Sequence, residues 1–179
     1  ISSSAAHRHT DDVPMLIPEV NPGHLAMIPI QKKHHGWDKG FVITKPNCSL
    51  QSYVMPIYAL IEAGFSVKKV FVATLQAVSG AGYPGVPSFD MVDNVIPFIG
   101  GEEEKTEQEP LKILGSIENE RFVPKAGIEI SAHCNRVPVV DGHLACVSVL
   151  FTDKKPAKEE ILKIWENFRS APQELDLPF

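Results

Sequence analysis

Cysteine is scarce: Cys48, Cys134 and Cys146 are the three in 179 residues. An odd count without framework spacing excludes a disulfide scaffold, and the lack of any CxxC pair removes the usual zinc signature, so no metal is expected. Such thiol usage fits a reducing, cytoplasmic setting better than secretion. Long apolar runs are missing too, none approaching the roughly 20 residues that span a bilayer. Basic charge is short: 17 Lys and Arg against 22 Asp and Glu give a net charge of −5 and a pI near 5.8. With no basic stripe to neutralise phosphates, a nucleic-acid surface is not expected. Gly-rich nucleotide-phosphate signatures, internal repeats and low-complexity tracts are also absent.

What remains has ordinary globular composition, 44% hydrophobic and 22% charged. The length suits one domain with a proper core, or a large part of a two-domain protein. The chain opens on Ile1-Ser2-Ser3-Ser4, without initiator Met or signal pattern, and stops at Leu177-Pro178-Phe179 with no closing element. These ends are expected of a piece of something longer.

Hydrophobic patterning predicts alternating strands and helices. Residues 1–36, rich in Pro and His, read as loops with at most a turn of helix. Strands are predicted over Phe41–Thr44, Lys69–Thr74, Ile128–Ser131 and Ala145–Phe151. Helices are predicted over Ser52–Ala63, with Pro56 inside the pattern, over Glu102–Gly115, whose acidic start suits the helix dipole, and after Lys155-Pro156. The last presents Ile161, Leu162, Ile164, Trp165 and Phe168 as its apolar face. Without a strict βαβ period, the expected fold class is α+β with a mixed, largely antiparallel sheet and helices on one face.

The chemistry centres on Pro46-Asn47-Cys48-Ser49, between the first predicted strand and the first predicted helix. Unpaired N–H groups and the dipole at a helix start favour a thiolate, the reactive form of cysteine. Pattern alone also allows Cys48 to be a small core residue. His143 is the candidate base: Asp141-Gly142 is a turn signal that places it at the start of a strand, although six other histidines compete. Arg136 sits where a guanidinium fork could hold a carboxylate, or is simply a surface Arg. Ser79-Gly80-Ala81-Gly82 permits close backbone approach to a ligand. Gln76 alone carries little signal. Glu102-Glu103-Glu104-Lys105 reads most simply as a solvated helix start, and Glu109 and Lys112 share one helical face.

Taken together, these segments resemble aspartate-β-semialdehyde dehydrogenases of the archaeal and fungal type. The likeness runs from Asp12-Val13-Pro14-Met15 to Trp165. It is carried by Pro46-Asn47-Cys48-Ser49, by Gln76 to Gly85, by Glu102 to Lys105, and by Cys134-Asn135-Arg136-Val137-Pro138 with Asp141-Gly142-His143. It implies a fold like the C-terminal domain of glyceraldehyde-3-phosphate-dehydrogenase-like proteins. Residues 1–179 would be a catalytic and dimerisation domain, the N-terminal NADP-binding Rossmann domain and the closing segment lying outside them, so that the piece alone is inactive. It implies reduction of L-aspartyl-β-phosphate by NADPH through a cysteine thioester in amino-acid biosynthesis, by a homodimer or dimer of dimers. The implied roles are Cys48 as nucleophile, His143 as acid and base, and Gln76 as orienting group. Arg136 would hold the substrate α-carboxylate, Glu109 its amino group, and Lys112 and Asn47 the phosphate, with Ser79 and Gly80 near the nicotinamide. Lys45, Leu50 and His133 depart from the residues frequent in that family, and Ser3-Ser4-Ala5 stands where serine-asparagine-alanine is usual. The neighbouring expectations are an N-acetylglutamyl-phosphate reductase-like enzyme and a non-redox cysteine acyl hydrolase or transferase.

Overall fold

Val67 to Gln76 supplies the centre of the fold. The computed structural model describes residues 1–177; Pro178 and Phe179 lie outside that range. Along the chain run α1 (Met27–His35), α2 (Val54–Glu62), β1 (Val67–Gln76), α3 (Ser88–Met91) and α4 (Glu102–Ile113). The hairpin β2 (Ser116–Glu118) and β3 (Arg121–Val123) follows, then β4 (Glu129–Arg136), β5 (His143–Phe151), α5 (Lys158–Asn167) and α6 (Ala171–Glu174).

β1 is flanked on both sides, in the order β4-β1-β5, parallel to β4 and antiparallel to β5. This is the expected α+β class with a mixed sheet. Its β-branched inner residues, Val70, Val72 and Thr74, are buried with Ala132 and Cys134 of β4, beneath Val54 and Ile57 of α2, Tyr53 just before α2, and Ile113 of α4. The opposite face leaves Phe71, Leu75, Leu144 and Leu150 exposed.

β4 is an edge strand, and its outward N–H groups are not left open. Ala132 N donates to Glu107 Oε1 at 3.0 Å and Cys134 N to Glu103 Oε1 at 3.1 Å, both carboxylates from α4. Arg136 N donates to Ile96 O at 2.8 Å. The edge is thus closed by charge and by a loop. α4 carries Pro110 in its interior, which removes the N–H that would bond the Thr106 carbonyl. The Tyr53 hydroxyl donates to that carbonyl at 3.0 Å instead, and burial pushes the phenol well above its ordinary pKa.

The predicted elements differ from the observed ones in identifiable ways. Phe41–Thr44 is not a strand: only Thr44 makes isolated bridges, to Ser2 and Met15. The backbone of Val42 is satisfied by the buried Gln31 side chain, which donates to Val42 O (3.0 Å) and Asp12 O (2.8 Å) and accepts from Val42 N (2.7 Å). α1, expected as loop, forms because Pro29 falls in its first turn, where no intrahelical N–H is needed, and Gly36 ends it in the left-handed conformation. Pro56 likewise lies in the first turn of α2. Gly115 follows α4 for a packing reason: a methyl there would run into the Val123 carbonyl.

Gln31→Leu strands three backbone groups, so we expect a loss of about 2–4 kcal/mol of unfolding free energy in urea titrations; a change under about 0.5 kcal/mol would contradict this role for the side chain.

Candidate active site

Asn47 shapes the loop that presents Cys48. Its Oδ1 accepts from Ser49 N at 3.0 Å and Ser49 Oγ at 2.8 Å, an Asx turn that bends the chain around the cysteine. A short 3-10 turn, Leu50–Ser52, intervenes before α2 begins at Val54. The helix expected to begin just after Cys48 is therefore displaced: the chain makes this short turn there, and α2 with its dipole starts only at Val54. A histidine is adjacent instead: exposed Cys48 Sγ lies 3.2 Å from His143 Nε2. His143 Nδ1 lies 2.9 Å from Gly142 O and 3.2 Å from Ala77 N. Ala77 N–H can donate either to Nδ1 or to Gly142 O, the latter at 3.3 Å. In the tautomer with Ala77 N–H on that carbonyl and Nδ1–H donating to it as well, Nε2 is free to take the thiol proton. The resulting imidazolium has partners for both N–H groups, the thiolate and the Gly142 carbonyl.

Strand register gathers the companions. Gln76, the last residue of β1, pairs with Arg136, the last of β4, and with His143, the first of β5. All three stand in one row across the sheet. Arg136 is buried at 5% exposure and donates from Nη1 to Ala77 O at 2.7 Å. Gly80, exposed at the turn Val78–Ala81, lies against the guanidinium of Arg136 and the imidazole of His143: a methyl on it would sit 2.9 Å from Arg136 Nη1 and 3.0 Å from His143 Cε1. Neighbouring Ser79 is exposed, its N–H donating to Val140 O.

The acidic start of α4 is not a solvated face. Glu102 accepts from Asn47 Nδ2 and from Lys105 Nζ, at 2.7 and 2.8 Å. Burial works against its charge, but the bonds from Lys105 and Asn47 outweigh it and hold the carboxyl below the ordinary range. Glu102 and Lys105 thus adjoin the Cys48 loop as a carboxylate and an ammonium. The family likeness runs through Glu102 to Lys105, but the roles were assigned to Glu109 and Lys112, which have the same three-residue spacing.

Glu109 and Lys112 face elsewhere, which corrects the expectation that they meet a substrate. Glu109 is fully buried, with Oε1 on Arg8 Nη1 (2.9 Å) and Oε2 on Asn47 N (2.7 Å). Lys112 donates to the carbonyls of Arg8, Thr10 and Val13 at 2.7–3.0 Å, beneath the Phe122 ring. Its three donors are spent on backbone, leaving none for a phosphate. Asn47 is buried as well, its amide committed to Glu102 and Ser49.

Residues 57–176 match the family model described as semialdehyde dehydrogenase, dimerisation domain. The chain belongs to this family. Among curated relatives of this semialdehyde dehydrogenase domain, the aspartate-semialdehyde dehydrogenase of Archaeoglobus fulgidus is 50% identical over 177 residues, covering 99% of this chain and 49% of that protein. That of Schizosaccharomyces pombe is 43% identical over 180 residues, covering 98% and 49%. The crystal structure of the Candida albicans aspartate-semialdehyde dehydrogenase with NADP superposes with a TM-score of 0.85 at 36% identity, over 98% of this chain and 50% of that one. The chain therefore spans about half the length of the relatives it matches.

Burial lowers the pKa of Lys112 from 10.5 to about 8, against the opposing pull of Asp11, Asp12 and Glu109. Between these values the unfolded chain holds the extra proton, so this group's contribution to stability rises with pH through that window. Urea unfolding at pH 7.5 and 9.5 should show the parent gaining about 2 kcal/mol relative to Lys112→Met. Parallel pH profiles would contradict the buried, proton-shedding lysine.

Proposed function

We propose that the intact protein containing this semialdehyde dehydrogenase domain catalyses NADPH-dependent conversion of L-aspartyl-β-phosphate to L-aspartate-β-semialdehyde through a thioester on Cys48. The observation that carries the reading is the 3.2 Å contact of Cys48 Sγ with His143 Nε2, beside Gln76 and Arg136 in the same strand row. The product lies on the route to threonine, methionine, isoleucine and, in some organisms, lysine. The setting is cytoplasmic; among the described residues no helix is long and apolar enough to cross a membrane.

His143 takes the Cys48 proton, and the thiolate attacks the β-carbonyl carbon. The carbon–sulfur bond forms, the bond to the phosphate oxygen breaks, and phosphate leaves with that electron pair. NADPH, when bound, supplies the hydride that reduces the thioester carbonyl. His143 donates its proton to the tetrahedral oxygen. It recovers the proton as the carbon–sulfur bond breaks, freeing aldehyde and thiolate. Arg136 holds the substrate α-carboxylate with its fork, and Gln76 orients the reacting carbonyl. Glu102 takes the amino-group role first expected of Glu109, and Lys105 the phosphate role first expected of Lys112. Asn47 reaches phosphate at most through the loop it shapes.

The chain's own residues fit the nicotinamide end of the cofactor. Gly80 offers a bare α-carbon beside His143, and Ser79 is exposed next to it. An N-terminal Rossmann domain would hold the remainder. A second copy of the domain covers the exposed sheet face at Phe71, Leu75, Leu144 and Leu150, in keeping with the family's description as a dimerisation domain. Phe71→Glu should convert the dimer to a monomer in sedimentation experiments, and an unchanged dimer would place the interface elsewhere.

The enzymatic reading is tested with the complete gene product, by following phosphate-dependent reduction of NADP with aspartate semialdehyde. Cys48→Ala should remove essentially all turnover. Arg136→Lys should raise the substrate KM about tenfold to a hundredfold, because lysine cannot reproduce the bidentate grip. Steady acyl-thioester hydrolysis without any nicotinamide turnover would overturn the redox reading.

A further inference from the structure

Glu109 is an expensive residue to bury. A carboxylate with no solvent exposure forms an ion pair with Arg8, itself 7% exposed, and buried pairs of this kind rarely gain stability over apolar replacements. The pair is not even complete: among the described residues Arg8 Nε is buried without a partner. What the carboxylate achieves lies at its other oxygen. Oε2 accepts the backbone N–H of Asn47, the residue immediately before Cys48. Asn47 is also fixed by its side chain, between Glu102 and Ser49. Both halves of the residue preceding the cysteine are therefore clamped, and the backbone half is clamped by Glu109. Arg8 is held in turn, donating from Nη2 to Ser3 O at 2.9 Å, while Lys112 fastens the Arg8 carbonyl.

We infer that Glu109, oriented by Arg8, is a positioning residue that aims Cys48 at His143. The inference rests on the reading of Cys48 as nucleophile and deepens it. Glu109 touches no substrate; it acts through the Asn47 peptide. A charged acceptor makes a stronger bond to that N–H than a neutral one. Its two oxygens match two donors, Arg8 Nη1 and Asn47 N. The amide of Glu109→Gln offers one acceptor and one donor to those two donors, so either the loop or the arginine is released.

The test uses the complete protein, without substrate or cofactor. Iodoacetamide labelling as a function of pH, resolved by peptide mass spectrometry, follows Cys48 as the target and buried Cys134 as a monitor of the fold. In Glu109→Gln, Cys48 labelling near pH 7 should fall about tenfold, with Cys134 still protected. Arg8→Lys keeps a cation and should lose less than Arg8→Met. In turnover, Glu109→Gln should lower kcat about tenfold with the aspartate-semialdehyde KM within about twofold. Unchanged Cys48 labelling with Cys134 protected overturns the inference. A raised KM with normal labelling also overturns it, placing Glu109 on the substrate. Labelling of Cys134 in Glu109→Gln overturns it too, because the residue would then hold the fold rather than the nucleophile. Labelling needs no enzymatic turnover, so a failure of the proposed activity alone leaves its outcome readable.

Discussion

The row Arg136–Gln76–His143 is set by strand register, and the site depends on it. A mixed sheet is what makes the row possible. β1 and β4 run parallel and end together, while β5 runs the other way and begins there, so two strand ends and one strand start meet at one rim. A slip of one residue in either pairing would turn the polar side chains to the opposite face. The register is held by the buried alternation Val70, Val72, Ala132 and Cys134, and on the outer edge of β4 by the bonds from Glu103, Glu107 and Ile96.

α4 distributes charge along this arrangement at successive heights. Its first turn gives Glu102 and Lys105 to the cysteine loop. Glu103 and Glu107, four apart, face the free edge of β4. Glu109 then meets the Asn47 peptide, and Lys112 gathers carbonyls of the N-terminal segment. One helix thus braces the sheet edge, the nucleophile loop and the chain's opening residues, which explains how so acidic a segment comes to be partly interior.

Much of this was legible beforehand. The strands β1 and β5 and the helices α4 and α5 followed from alternation and turn signals, and the family likeness pointed to Cys48, His143, Arg136 and Gln76, which the fold brings to one rim. The misplacement of Glu109 and Lys112 has a geometric origin. Glu102 and Lys105 lie one heptad earlier, which returns an α-helix to nearly the same face and differs only by about 10 Å along its axis. Spacing reveals a face; only packing reveals the height. α1 was hidden by Pro29 and by a last turn of charged and imidazole side chains. The β2–β3 hairpin was hidden because its turn places Asn119 and Glu120, neither of them glycine, at positive φ. The apparent strand at Phe41–Thr44 was a β-branched run whose backbone partners are an amide side chain and scattered bridges.

The phenol of Tyr53 above the Thr106 carbonyl ties two distant positions into one choice. With Pro110 in place, replacing Tyr53 by phenylalanine leaves a buried carbonyl bare. If position 110 instead carries an N–H, the carbonyl, with its two lone pairs, can accept from the helix and from the hydroxyl together. Tyrosine is therefore compatible with either kind of residue at 110, whereas phenylalanine is self-consistent only beside a non-proline residue. Loss of the hydroxyl at 53 is thus gated by a prior change at 110.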